Sequence, residues 1–219
     1  GGGPASTGAT TCRVETEGEA NHAGATRMPD RTDALAAASE CVRDAERAAR
    51  EVSATDSEPA VGTVGRIDVS PNARNVVAGG VEITTDVRDI EHASMDAVVD
   101  RMRKSLARLE ADRGVETALD RYRDQPPTPM AERAREALHA GADRSGVAAM
   151  DVHSGAAHDT IHVAGETDAA LLFAPSEDGL SHNPREWTDW ADCAAATRVL
   201  AGGVADLATA PASTRVAAA

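Results

Sequence analysis

The chain has 219 residues, 42% of them hydrophobic, which is enough to bury a core in one large domain or two small ones. Its 36 acidic and 22 basic residues give a formal net charge of -14, which repels the phosphate backbone of nucleic acid and anionic membrane surfaces alike. With 2% aromatic residues and no apolar run near the roughly 20 residues of a membrane span, we expect neither nucleic acid nor a membrane as a partner.

The first predicted unit covers residues 12–124, and the small, polar residues 1–11 before it are expected to form a loose tail. A short strand over residues 12–17 precedes a helix that Asp30 is predicted to cap. Apolar residues recur every three or four positions along that helix, at Leu35, Ala38, Val42, Ala45, Ala49 and Val52.

Two strands with a period of two residues follow this helix. One face of the first carries Val61, Thr63, Gly65, Ile67 and Val69. The inward face of the second carries Val81, Ile83, Thr85 and Val87. A second helix then begins at Ser94 and is closed by Gly114, and residues 115–123 return as a fourth strand. The apolar positions of this helix are Met95, Val98, Met102, Leu106 and Leu109. This order predicts a ferredoxin-like α+β unit, a four-stranded antiparallel sheet with two helices on one face.

The stretch RDQPPTPMAE marks a boundary, because three prolines in four positions interrupt both helix and sheet, and we place the linker at residues 125–130. Residues 131–207 then alternate helix and strand, with strands at VAAMDV and AALLFAP and a closing helix over residues 184–207, which predicts part of an α/β layer structure. Two strands do not form a stable α/β domain alone, so this unit is expected to pack against something else. Residues 208–219 are expected to fray.

The three cysteines, Cys12, Cys41 and Cys193, are odd in number, far apart and outside any CxxC pair. This pattern argues against a disulfide framework and a zinc knuckle, and favours a reducing, cytoplasmic setting.

The stretch DGLSHNPREWTD places His182 just before a predicted helix, with Asn183, Pro184 and Glu186 where an N-cap, a first helical residue and an N3 residue lie. At the positive end of a helix dipole the imidazole is kept neutral, as a metal ligand or a hydrogen-bond partner must be. Taken alone, a surface or capping role is the more common alternative.

Four motifs occur along the chain in the order GEANHAGATRMPDRTDALAAASE, VSPNARNVVAGGVEITTDVRDI, HSGAAHDT and LLFAPSEDGLSHNPREWTDWADCA. Together they resemble the di-zinc amidohydrolases of the hydantoinase and carbamoylase group, which includes N-carbamoyl-L-amino acid hydrolases, β-ureidopropionases and allantoate amidohydrolases. The resemblance runs from about residue 12 to residue 207. It implies that residues 12–124 are a lid or dimerisation domain and that residues 131–207 are the C-terminal part of a zinc-peptidase-like α/β catalytic domain.

The resemblance implies roles for individual residues. His182 in SHNP matches the last metal ligand, and His22 in NHAG matches a lid histidine that polarises the scissile carbonyl, often in the active site of the dimer partner. Arg88 in DVRD matches the arginine that binds the substrate carboxylate. Asn75 in RNVV matches a substrate-contacting asparagine, and the two are expected to make the carboxylate site together. The alternatives are a pair of Arg88 with Asp86 or Glu82, a turn cap at Asn75 and an ordinary loop role for His22.

The motif HSGAAHD matches a substrate-binding loop usually written SGAGHD, which assigns Gly155 and His158 to the substrate. Ala157 here replaces the second glycine, and its methyl group stands where close approach of the backbone is expected. Arg27 likewise replaces the proline expected after AGAT.

Members of this group also carry, in an N-terminal half, a histidine and an aspartate two residues apart, a Glu-Glu pair and a further ligand, which hold two ions of zinc, or of manganese, cobalt or nickel. This sequence has no two adjacent glutamates, the first of which is the general base, and one imidazole cannot hold catalytic zinc alone.

We therefore expect a metal-dependent amidohydrolase that hydrolyses the non-peptide C–N bond of N-carbamoyl or ureido amino acids as a homodimer, in a truncated chain that is inactive alone. The alternative is an inactive dimerisation or small-acid-binding module derived from that family. A sibling peptidase or aminoacylase is disfavoured by the stretch GLSHNPREWTD.

Overall fold

The computed structural model describes residues 5–209. They divide into two compact units, Thr7–Pro127 and a second unit that joins residues 5–6 to residues 128–209. The elements are, in chain order, β1 (Ala5–Ser6), β2 (Gly8–Glu17), β3 (Asn21–His22), α1 (Ala34–Thr55), β4 (Val61–Ser70), β5 (Val76–Val77), β6 (Gly80–Asp89), α2 (His92–Arg113), β7 (Glu116–Gln125), β8 (Thr128–Pro129), α3 (Glu132–Ser145), α4 (Thr160–Glu166) and α5 (Trp190–Thr209).

The unit Thr7–Pro127 is built on a four-stranded sheet with the order β4-β6-β2-β7. All neighbours are antiparallel, and the central strands pair over their whole length, from Gly8 opposite Asp89 to Glu17 opposite Gly80. Helices α1 and α2 pack against each other and against the sheet. Their shared core includes Val14, Val81, Ile83 and Val87 from the sheet, Cys41, Ala45 and Val52 from α1, and Met95, Val98, Met102, Leu106 and Leu109 from α2. The predicted combination of helices with an antiparallel sheet is confirmed.

Helix α1 begins later than the sequence predicted. The side chain of Asp33 caps it by accepting hydrogen bonds from the backbone N–H groups of Leu35 (3.0 Å) and Ala36 (3.1 Å). Asp30 instead ends a separate 3-10 turn, Met28–Asp30, so the prediction that Asp30 caps the helix was wrong. Leu35, predicted to face the core, remains 39% exposed because the buried face of α1 carries Ala34, Ala37 and Cys41 instead.

Strand β4 does not keep one face along its length. Val64 pairs with Thr85 and Arg66 pairs with Thr84, so Gly65 is an extra residue in a β-bulge. An extra residue reverses the alternation of faces, so the prediction that Val61 and Ile67 share one face was wrong.

The second unit is held together by α3 and α5. A Cβ built on Gly141 of α3 meets the main chain of α5 at Val199 and Gly203, so glycine is required where these helices cross. Strands β1 and β8 pair antiparallel, with Ser6 opposite Thr128. Part of the predicted linker is thus strand, which two residues of a short ladder can form despite the prolines.

The two strands predicted for this unit, VAAMDV and AALLFAP, are not strands in the structure. Between them and α5 lies an apolar cleft of about 400 Å³. Its lining includes Val147, Met150, Val152, Leu172, Phe173 and Val199. No ladder partner for residues 147–152 exists among residues 5–209, and a strand without a neighbouring strand has no regular hydrogen bonds to make.

The predicted tails also differ from the structure. Strand β2 begins at Gly8, and Ala9 and Thr10 are buried, so residues 8–11 belong to the sheet, where they pair with β6. Helix α5 extends to Thr209, while residues 1–4 and 210–219 lie outside the described range. Within residues 5–209, no helix has both the length and the apolar character that crossing a membrane requires.

Candidate functional site

His22 lies in a tight turn that fixes its ring. The ring Nδ1 accepts hydrogen bonds from the backbone N–H groups of Gly24 (3.0 Å) and Ala25 (3.1 Å), as the side chain of an N-cap residue does. A neutral imidazole whose Nδ1 is an acceptor carries its proton on Nε2. The side chain is exposed, so His22 presents an Nε2–H donor to solvent.

Asn75 lies beside His22. Strands β3 and β5 pair His22 with Val76, and the N–H of Ala23 donates to the carbonyl oxygen of Asn75 at 2.9 Å. The exposed amide of Asn75 makes no hydrogen bond to its own turn or to any other part of residues 5–209. The structure therefore brings two predicted site residues together and leaves both polar ends accessible.

Arg88 lies on the outer face of β6 and pairs with Asp86. Its Nε donates to Asp86 Oδ1 at 2.6 Å and its Nη2 to Oδ2 at 3.4 Å. The hydrogen bond that Arg88 donates to Asp86 raises the pKa of Arg88 above its ordinary value. This is the pair that the sequence offered as the alternative, and it occupies only the Nε side of the guanidinium. The end formed by Nη1 and Nη2 is the second edge at which a guanidinium binds a carboxylate bidentately.

Asn75 and Arg88 are far apart in one copy of the chain. Gly80 and Arg88 lie at positions 80 and 88 of one continuous strand, which at about 3.3 Å per residue separates their Cα atoms by about 26 Å. The His22 turn and Asn75 lie beyond the Gly80 end, because β3 and β5 continue past the pair Glu17 and Gly80. A small acid does not span this distance, so Asn75 and Arg88 of one copy do not contact it together, and their joint carboxylate site stays a prediction that needs two copies of the chain.

The loop that carries Gly155 and His158 belongs to the second unit. Ser154 Oγ and His158 Nε2 lie 2.7 Å apart, and the His158 ring lies 5.6 Å from the ring of Phe173. Ser154 is buried, so it fixes the Nε2 side of His158 inside the loop. A Cβ built on Gly155 meets no described atom within 4 Å, so packing inside residues 5–209 does not require glycine there.

His182 does not lie at a helix start. Asn183 Oδ1 accepts from the N–H of Arg185 (2.9 Å) and Glu186 Oε2 accepts from the N–H of His182 (2.9 Å), each the N–H group one residue before the one bonded in a capping box. However, α5 begins only at Trp190, so these bonds close an isolated turn and no helix dipole acts on His182. The predicted helix start was wrong. His182 is exposed and has a φ of 55°, in the left-handed region that side chains other than glycine adopt rarely.

Residues 5–209 contain no group of three or more His, Cys, Asp or Glu side chains placed to hold a metal ion. Catalytic zinc needs about three protein ligands, so this part of the chain does not fit a complete catalytic metal site. Among residues 5–209, no hydrogen bond links His182 to the His158 loop.

Two residues around these sites were missed by sequence reasoning. Arg31 bonds to the His22 turn, and Ser154 bonds to His158. Both fall within the quoted motifs, but neither has a spacing that indicates its contact. For Ser154, the position four residues before His158 is the one available signal, and it suggests a contact only if the loop is compact.

A protein-family model and several known proteins each match most of the chain. The model of Peptidase family M20/M25/M40 matches residues 11–206. The chain is 33% identical over 193 residues to an N-carbamoyl-L-amino-acid amidohydrolase from Paenarthrobacter aurescens, a match that covers 88% of this chain and 46% of that protein. It is 32% identical over 175 residues to an allantoate amidohydrolase from Bacillus subtilis, which covers 80% and 42% respectively.

Among solved structures, the chain is similar to an amidase of the hydantoinase/carbamoylase family from Burkholderia multivorans, with a TM-score of 0.83 and 31% sequence identity. The match covers 95% of this chain and 50% of that one. The chain thus spans about half the length of the relatives that it matches.

Proposed function

The chain belongs to Peptidase family M20/M25/M40 and resembles hydantoinase/carbamoylase amidases, and from this premise we propose that it is part of a metal-dependent amidohydrolase. The proposed reaction is hydrolysis of a non-peptide C–N bond in an N-carbamoyl or ureido amino acid. The relatives are named as hydrolases of such compounds, which confirms the predicted resemblance at the level of the family. Residues 7–127 are proposed to be the lid and dimerisation domain, and residues 128–209 a portion of the catalytic domain.

The observation that carries this proposal is the His22 turn. An exposed imidazole with its proton on Nε2 is a hydrogen-bond donor in a fixed direction. Such a donor stabilises the oxyanion that forms when a carbamoyl carbonyl is attacked, and it needs no proton transfer to do so. The neighbouring Asn75 amide supplies a further donor and acceptor for the ureido group.

Arg88 is proposed to bind the carboxylate of the substrate through its Nη1 and Nη2 edge. Asp86 holds the Nε side of the guanidinium, which fixes the orientation of the fork before a substrate arrives. Because Arg88 and the His22 turn lie at opposite ends of β6, we propose that the two act on one substrate only when they come from different copies. A complete active site then forms only in the homodimer.

The sheet offers a surface for such a dimer. Strand β4 is an edge strand, and Val61 and Ile67 on it are 53% and 47% exposed. An unpaired edge of this kind is a template for pairing with a second copy.

His182 is proposed to supply one ligand of the metal site, with the other ligands outside residues 5–209. The apolar cleft beside α5 supports this division, since extended apolar segments with no ladder partner need further strands to cover them. Gly155 and His158 are proposed to contact the substrate from the same unit.

A second function is favoured by the same lack of a ligand cluster within residues 5–209. In that case the chain is a dimerisation or small-acid-binding module without catalysis. Binding of an N-carbamoyl amino acid through Arg88 is then expected without any turnover.

Release of ammonia from carbamoyl and ureido compounds, and of free amino acid from a dipeptide, tests the proposal. The chain is fused to the N-terminal half of the amidohydrolase from Paenarthrobacter aurescens and assayed with N-carbamoyl-L-amino acids, allantoate and a dipeptide. Hydrolysis of a carbamoyl or ureido compound, lost in the variant His22→Ala, supports the amidohydrolase. Cleavage of the dipeptide alone indicates a peptidase, and substrate binding without turnover indicates the inactive module.

A further inference from the structure

Side chains form hydrogen bonds to the backbone at both ends of the turn that carries His22. At the amino end, His22 Nδ1 accepts the N–H groups of Gly24 and Ala25. The carbonyl oxygen of His22 accepts from the N–H of Thr26 at 3.0 Å and from the hydroxyl of Thr26 at 2.8 Å. A single turn of this kind has no helix beyond it to hold its carbonyl groups.

Arg31 holds those carbonyl groups. Its Nε donates to the carbonyl oxygen of Thr26 at 3.1 Å and its Nη2 to that of Ala23 at 2.5 Å. The side chain is half-buried, and it forms no salt bridge with any acid among residues 5–209. In a chain with 36 acidic residues, an arginine that donates only to main-chain carbonyls is committed to shaping this turn.

We propose that Arg31 is a positioning residue for His22, which keeps the imidazole in the Nε2–H form and aims that donor out of the turn. The inference rests on the proposed function, in which His22 is a donor to the substrate carbonyl. Arg31 spans residues 23 and 26 and so fixes the distance between the two halves of the turn. This distance keeps the N–H groups of Gly24 and Ala25 directed at Nδ1.

The two hydrogen bonds from residue 31 to the carbonyl oxygens of Thr26 and Ala23 require the planar guanidinium of arginine. A guanidinium presents N–H donors at fixed angles to two acceptors at once, whereas an ammonium is a compact charge on a flexible stem. Gly24 is fitted to the same arrangement, since a Cβ built there lies 3.3 Å from His22 Cε1. Lysine at position 31 therefore keeps the charge but loses the pair of hydrogen bonds at fixed angles.

Long-range ¹H–¹⁵N spectra of the histidine rings in the 219-residue chain test this inference, because they report which ring nitrogen carries the proton. The wild type is expected to show His22 with a protonated Nε2 and an unprotonated Nδ1. In Arg31→Gln and in Arg31→Lys the two nitrogen signals should move towards averaged values, and amide exchange at Gly24 and Ala25 should accelerate by about tenfold.

The matched control is Arg50→Gln, which removes an exposed arginine paired with Glu46 at 2.7 Å on α1. It is expected to leave the His22 signals unchanged. A wild-type spectrum with the proton on Nδ1 overturns the inference, and this holds even if a variant fails to fold. Wild-type signals in Arg31→Lys overturn the role of the fork, and equal effects of Arg50→Gln overturn positioning by Arg31.

The readout also separates this inference from the proposed function. If the Arg31 variants lose the Nε2–H form but the fused enzyme keeps its activity, Arg31 positions His22 and His22 is not a donor to the substrate. If activity falls while the tautomer is unchanged, the positioning role is overturned and the proposed function stands.

Discussion

Asn75 lies beyond the Gly80 end of strand β6 and Arg88 lies near its other end, and Gly80 and Arg88 alone are about 26 Å apart along the strand. Two side chains at that distance contact one small acid only if they belong to different copies of the chain. His22 lies with Asn75, so the pair lies at one end of the unit Thr7–Pro127 and Arg88 lies towards the other.

Complementation in mixed dimers is the first prediction. In the fused enzyme, His22→Ala and Arg88→Ala should each be nearly inactive alone. After the two variants are unfolded and refolded together, half of the dimers contain one copy of each, and one of their two sites is intact, so about a quarter of the activity should return. A mixture of His22→Ala with Asn75→Ala is the control, and no activity should return because both changes affect the same end. Failure of the first mixture to recover activity would show that Arg88 and His22 do not act on one substrate from different copies.

Arg88 should be required for affinity in a way that a similar surface arginine is not. Loss of a bidentate arginine from a desolvated carboxylate costs about 2 to 5 kcal/mol, so Arg88→Lys should raise KM by more than about tenfold. Arg66 is the matched control, since it pairs with Asp68 at 2.6 Å two residues along β4 just as Arg88 pairs with Asp86. Arg66→Lys should leave KM unchanged, and equal kinetics for both variants would remove Arg88 from the site.

The cysteines should differ in reactivity. Burial raises the pKa of Cys41 from its ordinary 9.0 to about 11 and raises that of Cys12 as well, whereas Cys193 is partly exposed. A thiol reagent at about pH 8 should therefore label Cys193 first in the folded chain, and Cys193→Ser should abolish this fast phase.

The same shift makes stability depend on alkaline pH. The folded pKa of Cys41 lies above the unfolded one, so its contribution to the free energy of unfolding is complete below pH 9.0 and is lost as the pH rises to about 11. In Cys41→Ala the free energy of unfolding should fall less over this pH range. Equal labelling of all three cysteines at about pH 8 would contradict the burial of Cys12 and Cys41.

Gly141 should be essential to the second unit. The methyl group of Gly141→Ala collides with the main chain of α5, which should lower the free energy of unfolding by about 1–3 kcal/mol. Gly165→Ala in α4 is the control, because its added Cβ meets no described atom within 4 Å, and alanine should cost nothing there or add up to about 1 kcal/mol. Urea unfolding can be followed by fluorescence, since Trp187 and Trp190 both belong to this unit. Equal stability of the two variants would contradict the close crossing of α3 and α5.

Periodicity predicted residues 7–127 well because each apolar face in this unit has its partner in the same unit. Met95 and Leu109 are buried as their spacing indicates. Sequence did not reveal the bulge at Gly65, since one extra residue leaves the composition of a strand unchanged. Nor did it distinguish Asp33 from Asp30 as a cap, because both aspartates satisfy the same preference and only the hydrogen bonds to Leu35 and Ala36 decide.

The second unit was predicted less well for a different reason. A strand exists only beside another strand, so the apolar residues 147–152 have the sequence of a strand without its hydrogen bonds. Around His182 the side chains of Asn183 and Glu186 accept backbone N–H groups, yet propensity alone does not extend one turn into a helix. The proximity of His22 and Asn75 arises from the pairing of β3 with β5, which no local pattern encodes.

Zinc titration by calorimetry tests most directly whether His182 is one ligand of a metal site that residues 5–209 hold only in part. The 219-residue chain alone should show no tight zinc binding, because one imidazole supplies about a third of the ligands that a catalytic ion needs. Fusion to the N-terminal half of an amidohydrolase relative should produce tight binding together with hydrolysis of an N-carbamoyl amino acid, and His182→Ala should abolish both. Nanomolar binding by the chain alone, or a fused enzyme that binds zinc and turns over without His182, would contradict this assignment.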